Sequence, residues 1–135
     1  MRSNGNPICV LVVVAALSTS GCGSSAREAT THATAAGRVP TLRIEAASNG
    51  TLRFSATTLH ARAGRVRIAM TNPSAVPHDI AIKGHGVAEK GPVVESGGTS
   101  IVEATLKAGR YEFYCSVDGH EQAGMRGTLI VTARR

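Results

Sequence analysis

Three residues in one short segment carry the most distinctive chemistry of this chain. Cys115, His120 and Met125 stand five residues apart within Tyr114-Cys115-Ser116-Val117-Asp118-Gly119-His120-Glu121-Gln122-Ala123-Gly124-Met125. The segment is polar and Gly-rich, so Met125 has no strand or helix face on which to be mere core. A thiolate, an imidazole and a thioether are metal donors, and His78 adds a second imidazole if a distant strand brings it in. Two His and one Cys with a weak axial Met form the ligand set of a blue-copper electron-transfer site. Two rival readings use part of the set. Zinc favours Cys and His but has no use for Met. A Cys-His nucleophile needs a substrate cleft, for which a small sandwich offers little room, so no enzymatic activity is expected. Taken singly, Cys115 reads as a buried thiol and His78 as a satisfied core histidine. Their combination with His120 and Met125 favours copper, one ion per chain.

The elements that must position these donors alternate with period two. Leu42, Ile44 and Ala46 alternate with Arg43 and Glu45, and Leu52 and Phe54 flank Arg53. Val66, Ile68 and Met70 alternate with Arg65 and Arg67, and Val102, Ala104 and Leu106 with Glu103 and Thr105. Tyr111, Phe113 and Cys115 share one parity, His78, Ile80 and Ile82 another, and Leu129 and Val131 close the series. Turn signals such as Ser48-Asn49-Gly50, Asn72-Pro73-Ser74, Gly97-Gly98 and Ala108-Gly109 separate the runs. No convincing helix is found. The pattern predicts an all-β fold, a small antiparallel β-sandwich of about 7–8 strands. Parity points His78 inward at the start of one strand and Cys115 inward at the end of another. A polar group so placed needs a partner. His60, His85 and the lone His32 are read as bystanders, His85 as an exposed loop residue.

The chain has 135 residues, room for one domain, with 42% hydrophobic residues, enough for a packed core. The net charge is +6, but the basic residues are scattered over solvent parities, and aromatic residues make up only 3%. Stacked-base recognition needs exposed aromatic platforms, so no nucleic-acid partner is expected. Residues 8–17 are an unbroken apolar run preceded by Arg2, too short to span a membrane and the right length for an export signal. The following Leu17-Ser18-Thr19-Ser20-Gly21-Cys22 resembles a bacterial lipoprotein signal, with Thr19 where such signals usually carry Leu. The expected organisation is a lipoprotein-type signal peptide over 1–21, a lipidated Cys22 with a flexible tether over 22–39, and a copper-binding domain over 40–135. Plain secretion is the alternative. Cys9 would leave with the signal and Cys22 would be capped by lipid, which leaves Cys115 as an unpaired thiol outside the cytosol. Such a thiol oxidises unless protected, and a metal bond protects it.

The exported part resembles the cupredoxins, the small blue copper proteins that include plastocyanin, azurin and rusticyanin. Two stretches carry the resemblance: Asn72-Pro73-Ser74-Ala75-Val76-Pro77-His78-Asp79, like the loop of the family's first His, and the Cys-x4-His-x4-Met loop. The latter is longer between Cys and His than in plastocyanins and similar to rusticyanin and sulfocyanin. The resemblance implies a Greek-key sandwich, the ligands His78, Cys115, His120 and axial Met125, and electron entry through His120 near the surface. It places Asp79 where many members have an Asn that ties the two ligand loops together. The expected partner of the monomer is a c-type cytochrome or a membrane oxidase, and the signal segment places it at the outer face of a bacterial cytoplasmic membrane or free in the periplasm or outside the cell. An extracytoplasmic copper carrier or scavenger would use the same ligands.

Overall fold

Alternating burial decides which face of each strand builds the core. The computed structural model describes residues 38–135. The signal segment, Cys9, Cys22, His32 and nearly all of the tether lie outside the described residues. Eight strands follow: β1 Thr41–Glu45, β2 Thr58–Arg62, β3 Gly64–Thr71, β4 Ala81–Gly84, β5 Val87–Lys90, β6 Thr99–Leu106, β7 Gly109–Tyr114 and β8 Arg126–Thr132. No helix occurs among the described residues.

The strands form two sheets, one ordered β1-β3-β6 and the other β2-β8-β7-β4-β5. Val66, Ile68 and Met70 of β3 face inward opposite Ala104, Val102 and Ser100 of β6. Phe113 of β7 lies against Phe54, with ring centroids 5.7 Å apart, and both belong to the shared core. Opposite Phe113 in the ladder stands Gly127. A Cβ there would lie 2.3 Å from the Phe113 ring and 2.6 Å from the Thr57 carbonyl oxygen, so the close approach needs glycine.

The sandwich matches the sequence expectation, but not every pairing is antiparallel. β1 pairs with β3, and β2 with β8, in parallel. The reason lies in the chain path. After β1 the chain crosses to the other sheet as β2 and returns as β3, and such a crossover permits parallel neighbours. The run around Phe54 makes a single bridge to Ala46 rather than a strand. β2 and β5 arise where the alternation is faint, because both are sheet edges with little buried surface. Residues 80–82 are buried on both faces, so Ala81 lies inside as well as Ile80 and Ile82, and His78 is buried as their parity predicts.

Candidate metal centre

The loop from β7 to β8 is wound by its own backbone. The Cys115 amide donates to the Met125 carbonyl at 3.0 Å, the Met125 amide donates to the His120 carbonyl at 3.0 Å, and the His120 amide donates to the Val117 carbonyl at 3.0 Å. Main-chain bonds therefore link all three loop donors directly. Cys115 and Met125 are fully buried, and His120 is half-buried.

His78 arrives from the other ligand loop, held by a two-way backbone bridge. Its amide donates to the Val94 carbonyl at 3.1 Å and its carbonyl accepts from the Val94 amide at 2.8 Å. Asn72 holds the approach to it. The Asn72 Nδ2 group donates to the Val76 and Val94 carbonyls at 2.8 and 3.0 Å, and its Oδ1 accepts from the Ser74 amide and hydroxyl at 3.0 and 2.9 Å. The sequence marks Asn72 as a turn residue only, and its bonds across to Val94 have no local signature. Replacing Asn72 by Ala removes four hydrogen bonds and leaves the buried Ser74 amide without its acceptor, while the Val76 and Val94 carbonyls keep the Ser74 hydroxyl and the His78 amide. The expected cost is about 2–4 kcal/mol of stability, read by chemical denaturation, with a larger loss of amide-exchange protection at His78 than in β3.

The donors converge. The Nδ1 atoms of His78 and His120 lie 3.8 and 3.4 Å from the Cys115 Sγ, and the two imidazole rings are 5.1 Å apart between centroids. The ligand atoms of His78, Cys115 and His120 all fall within 4.8 Å of one another. One small cation can reach all three, with the buried Met125 side chain tied to the same loop. Asp79 links the two ligand loops. Its carboxylate accepts from the Ser116 amide at 2.5 Å and from the Ser116 hydroxyl, and its own amide donates to the Cys115 Sγ at 3.4 Å. The sequence resemblance expects Asp79 in this tying position, but not Ser116 as its partner.

A third tie was not legible in the sequence. Lys83 on β4 pairs with Glu121, the residue after His120, and with Glu112 on β7 at 3.1 Å, while its ammonium lies 4.4 Å over the Tyr114 ring. It fastens the His120 segment to the sheet. His60 and His85 stand apart from the centre. His85 is exposed with φ at +49°, and its Nε2 meets the Arg110 carbonyl at 3.1 Å.

The donor chemistry fits copper. A thiolate, two imidazoles and a thioether form the soft and borderline set that copper selects, and the thioether disfavours zinc. Burial pushes the Cys115 thiol up to about 11, with the Asp79 charge adding to the rise, so at neutral pH the sulfur carries a proton. Burial also lowers the His78 pKa, helped by the neighbouring His120, which keeps this imidazole neutral and ready to donate. The His78 Nε2 is buried without a hydrogen-bond partner, so the ring is fixed by packing and by its Nδ1 side. Metal binding must then expel one proton from Cys115. From about pH 7 to 10 the Cu(II) affinity is expected to rise about tenfold per pH unit, because each unit raises the thiolate fraction tenfold below its pKa. Chelator competition at several pH values checks this, and a flat profile would mean that the sulfur is already ionised without metal.

The cupredoxin-like domain family matches residues 8–131. The chain belongs to that family. Among solved structures, auracyanin A, a blue copper protein of the green thermophilic photosynthetic bacterium Chloroflexus aurantiacus, superposes with a TM-score of 0.61 at 26% identity, covering 70% of this chain and 100% of that one. Auracyanin B gives a TM-score of 0.60 at 26% identity, covering 68% of this chain and 88% of the other. The copper-resistant cuproprotein CopI of Rubrivivax gelatinosus is 30% identical over 107 residues. The match spans 65% of this chain and 65% of that relative's length. This cupredoxin-like domain thus joins a His-Cys-His-Met donor set to the sandwich of its blue copper neighbours.

Proposed function

We propose that this cupredoxin-like domain carries single electrons through one bound copper, between membrane-associated redox partners outside the cytoplasmic membrane. One observation carries the reading: three donors from two loops sit within 4.8 Å of one another on a hydrogen-bonded, buried frame. Copper supplies a one-electron couple when bound. The protein's part is to hold the donors still, since ligands that do not move impose little rearrangement on the transfer. Cys115 is the dominant donor, His78 and His120 complete the set, and Met125 tunes the potential. His120 is half-buried where His78 and Cys115 are fully buried, which suits it as the electron port. Ala123 and Gly124 are exposed and small, Val117 is half-buried, and together they allow close approach of a partner such as a c-type cytochrome or a membrane oxidase. Lipidation at Cys22 would confine the domain near such partners at high effective concentration.

The similarity to a copper-resistant cuproprotein favours a second reading, an extracytoplasmic copper carrier or scavenger with the same ligands. The unit Ala35–Arg135 is compact, and among the described residues strands β1–β8 pair only with one another, so it serves as the test fragment. Cu(II) is added in stoichiometric amount and the visible spectrum recorded. An intense thiolate-to-copper band that bleaches with mild reductant, returns on oxidation and exchanges electrons with a c-type cytochrome supports electron transfer. A pale complex, or immediate reduction to tightly held Cu(I), supports copper handling instead.

A further inference from the structure

We propose that the end of the sandwich remote from the metal donors is a docking face for an anionic phospholipid surface. The inference goes beyond the copper reading and uses none of its residues. β8 leaves the donor loop at Arg126 and ends at Thr132, roughly 20 Å away at about 3.3 Å per residue. Two grooves meet at the start of β1, in the half of β3 remote from the donors, and the first extends along β1 to Arg43, opposite Ala69. The first, of about 680 Å³, is lined by Arg38, Arg43, Arg65 and Arg67. The second, of about 640 Å³, is lined by the apolar Leu42, Ala61 and Val66 together with Arg62 and Arg135. Pro40 borders both.

The charge at this face is one-sided. Glu103 answers Arg65 at 2.7 Å and also pairs with Arg67, and Glu45 lies on the same sheet face two residues beyond Arg43. Arg38 and Arg43 make no ion pair among the described residues, and both are exposed. Guanidinium groups beside an apolar groove match the boundary where lipid phosphates meet acyl chains. Arg38 is also the point at which the preceding 37 residues join the domain, and those residues include the apolar run 8–17. The face thus lies where the chain arrives from its apolar N-terminal stretch.

The test uses fragment Ala35–Arg135, which lacks Cys22, so its outcome is independent of lipidation and of copper. Partition is measured by sedimentation with vesicles of phosphatidylcholine, with and without phosphatidylglycerol. Binding is expected only with phosphatidylglycerol and should weaken as salt is raised. Each cation near an anionic surface contributes about fivefold in partition, so R38Q with R43Q should lower it about 25-fold. The charge-matched pair R53Q with R126Q, outside both grooves, should leave most of it intact. A spin-labelled lipid should broaden the amides of Leu42, Val66 and Thr132 and spare residues 116–124. Absence of binding, an equal loss in the charge-matched pair, or broadening centred on residues 116–124 would each overturn the proposal. Thermal melts of the variants confirm that they are folded.

Discussion

Replacing Cys115 by Ala is expected to abolish the thiolate-to-copper absorption and leave the β-sheet circular dichroism unchanged. The sulfur is the shared contact of both imidazoles, at 3.8 and 3.4 Å from their Nδ1 atoms, and it accepts the Asp79 amide at 3.4 Å. Without it the remaining donors are two imidazoles and a weak thioether. The loss in copper affinity should therefore exceed the roughly 10–100-fold that removing a supporting hydrogen bond costs at a metal site. The fold should survive because the change deletes one small buried group, at a cost of about 1 kcal/mol, while the Cys115 amide keeps its bond to the Met125 carbonyl. The visible spectrum and the circular dichroism of the Cu(II)-treated variant decide it. A variant that kept its colour would remove Cys115 from the centre.

Replacing Asp79 by Asn is expected to raise the reduction potential by roughly 50–100 mV. The side chain is buried, and its two oxygens accept from the Ser116 amide and hydroxyl. An Asn is of the same shape, accepts from the Ser116 amide through its oxygen and donates to the Ser116 hydroxyl through its nitrogen, so the loops stay tied. What disappears is a negative charge that favours Cu(II) over Cu(I). A unit charge about 6 Å away is worth up to about 3 kcal/mol at an effective dielectric of 20, the Ser116 donors offset part of it, and about 59 mV corresponds to a tenfold change in a one-electron equilibrium. A readout without metal exists as well. Burial is the main cause of the raised Cys115 pKa, with the Asp79 charge a further contributor, so D79N should lower that pKa in the metal-free protein, read from the ultraviolet thiolate band. An unchanged thiol titration together with an unchanged potential would show that Asp79 acts on the loop alone.

The fold was legible where one face of a strand is buried and the other wet. Val66, Ile68 and Met70 of β3, and Val102, Ala104 and Leu106 of β6, state their own orientation. The edge strands β2 and β5 have too little buried surface to do so. Strand direction was not legible, because alternation is the same read either way along the chain, and so the parallel pairings of β1 and β2 went unforeseen. At the centre, the donors announce themselves through side-chain chemistry and spacing, and the structure brings His78, Cys115 and His120 together. The groups that support them are less visible. Asp79 and Ser116 meet across 37 positions, and Lys83 and Glu121 across 38. Ser116 and Lys83 are ordinary surface residue types until the strand registers are known.

The parallel pairing of β2 with β8 also sets an order of events in time. β2 is an edge strand whose sheet neighbour is β8, and Thr58 waits for Thr128 to form its register. Cys115, His120 and Met125 belong to the same late stretch of chain. A polypeptide emerging N-terminus first must keep β2 without a ladder, and hold an incomplete metal nest, until its last two strands are free. Pairings this distant in sequence close slowly, on a scale of milliseconds to seconds. A nascent chain cut short before residue 125 therefore has neither the strand β8 that closes the second sheet nor the Met125 that completes the donor set.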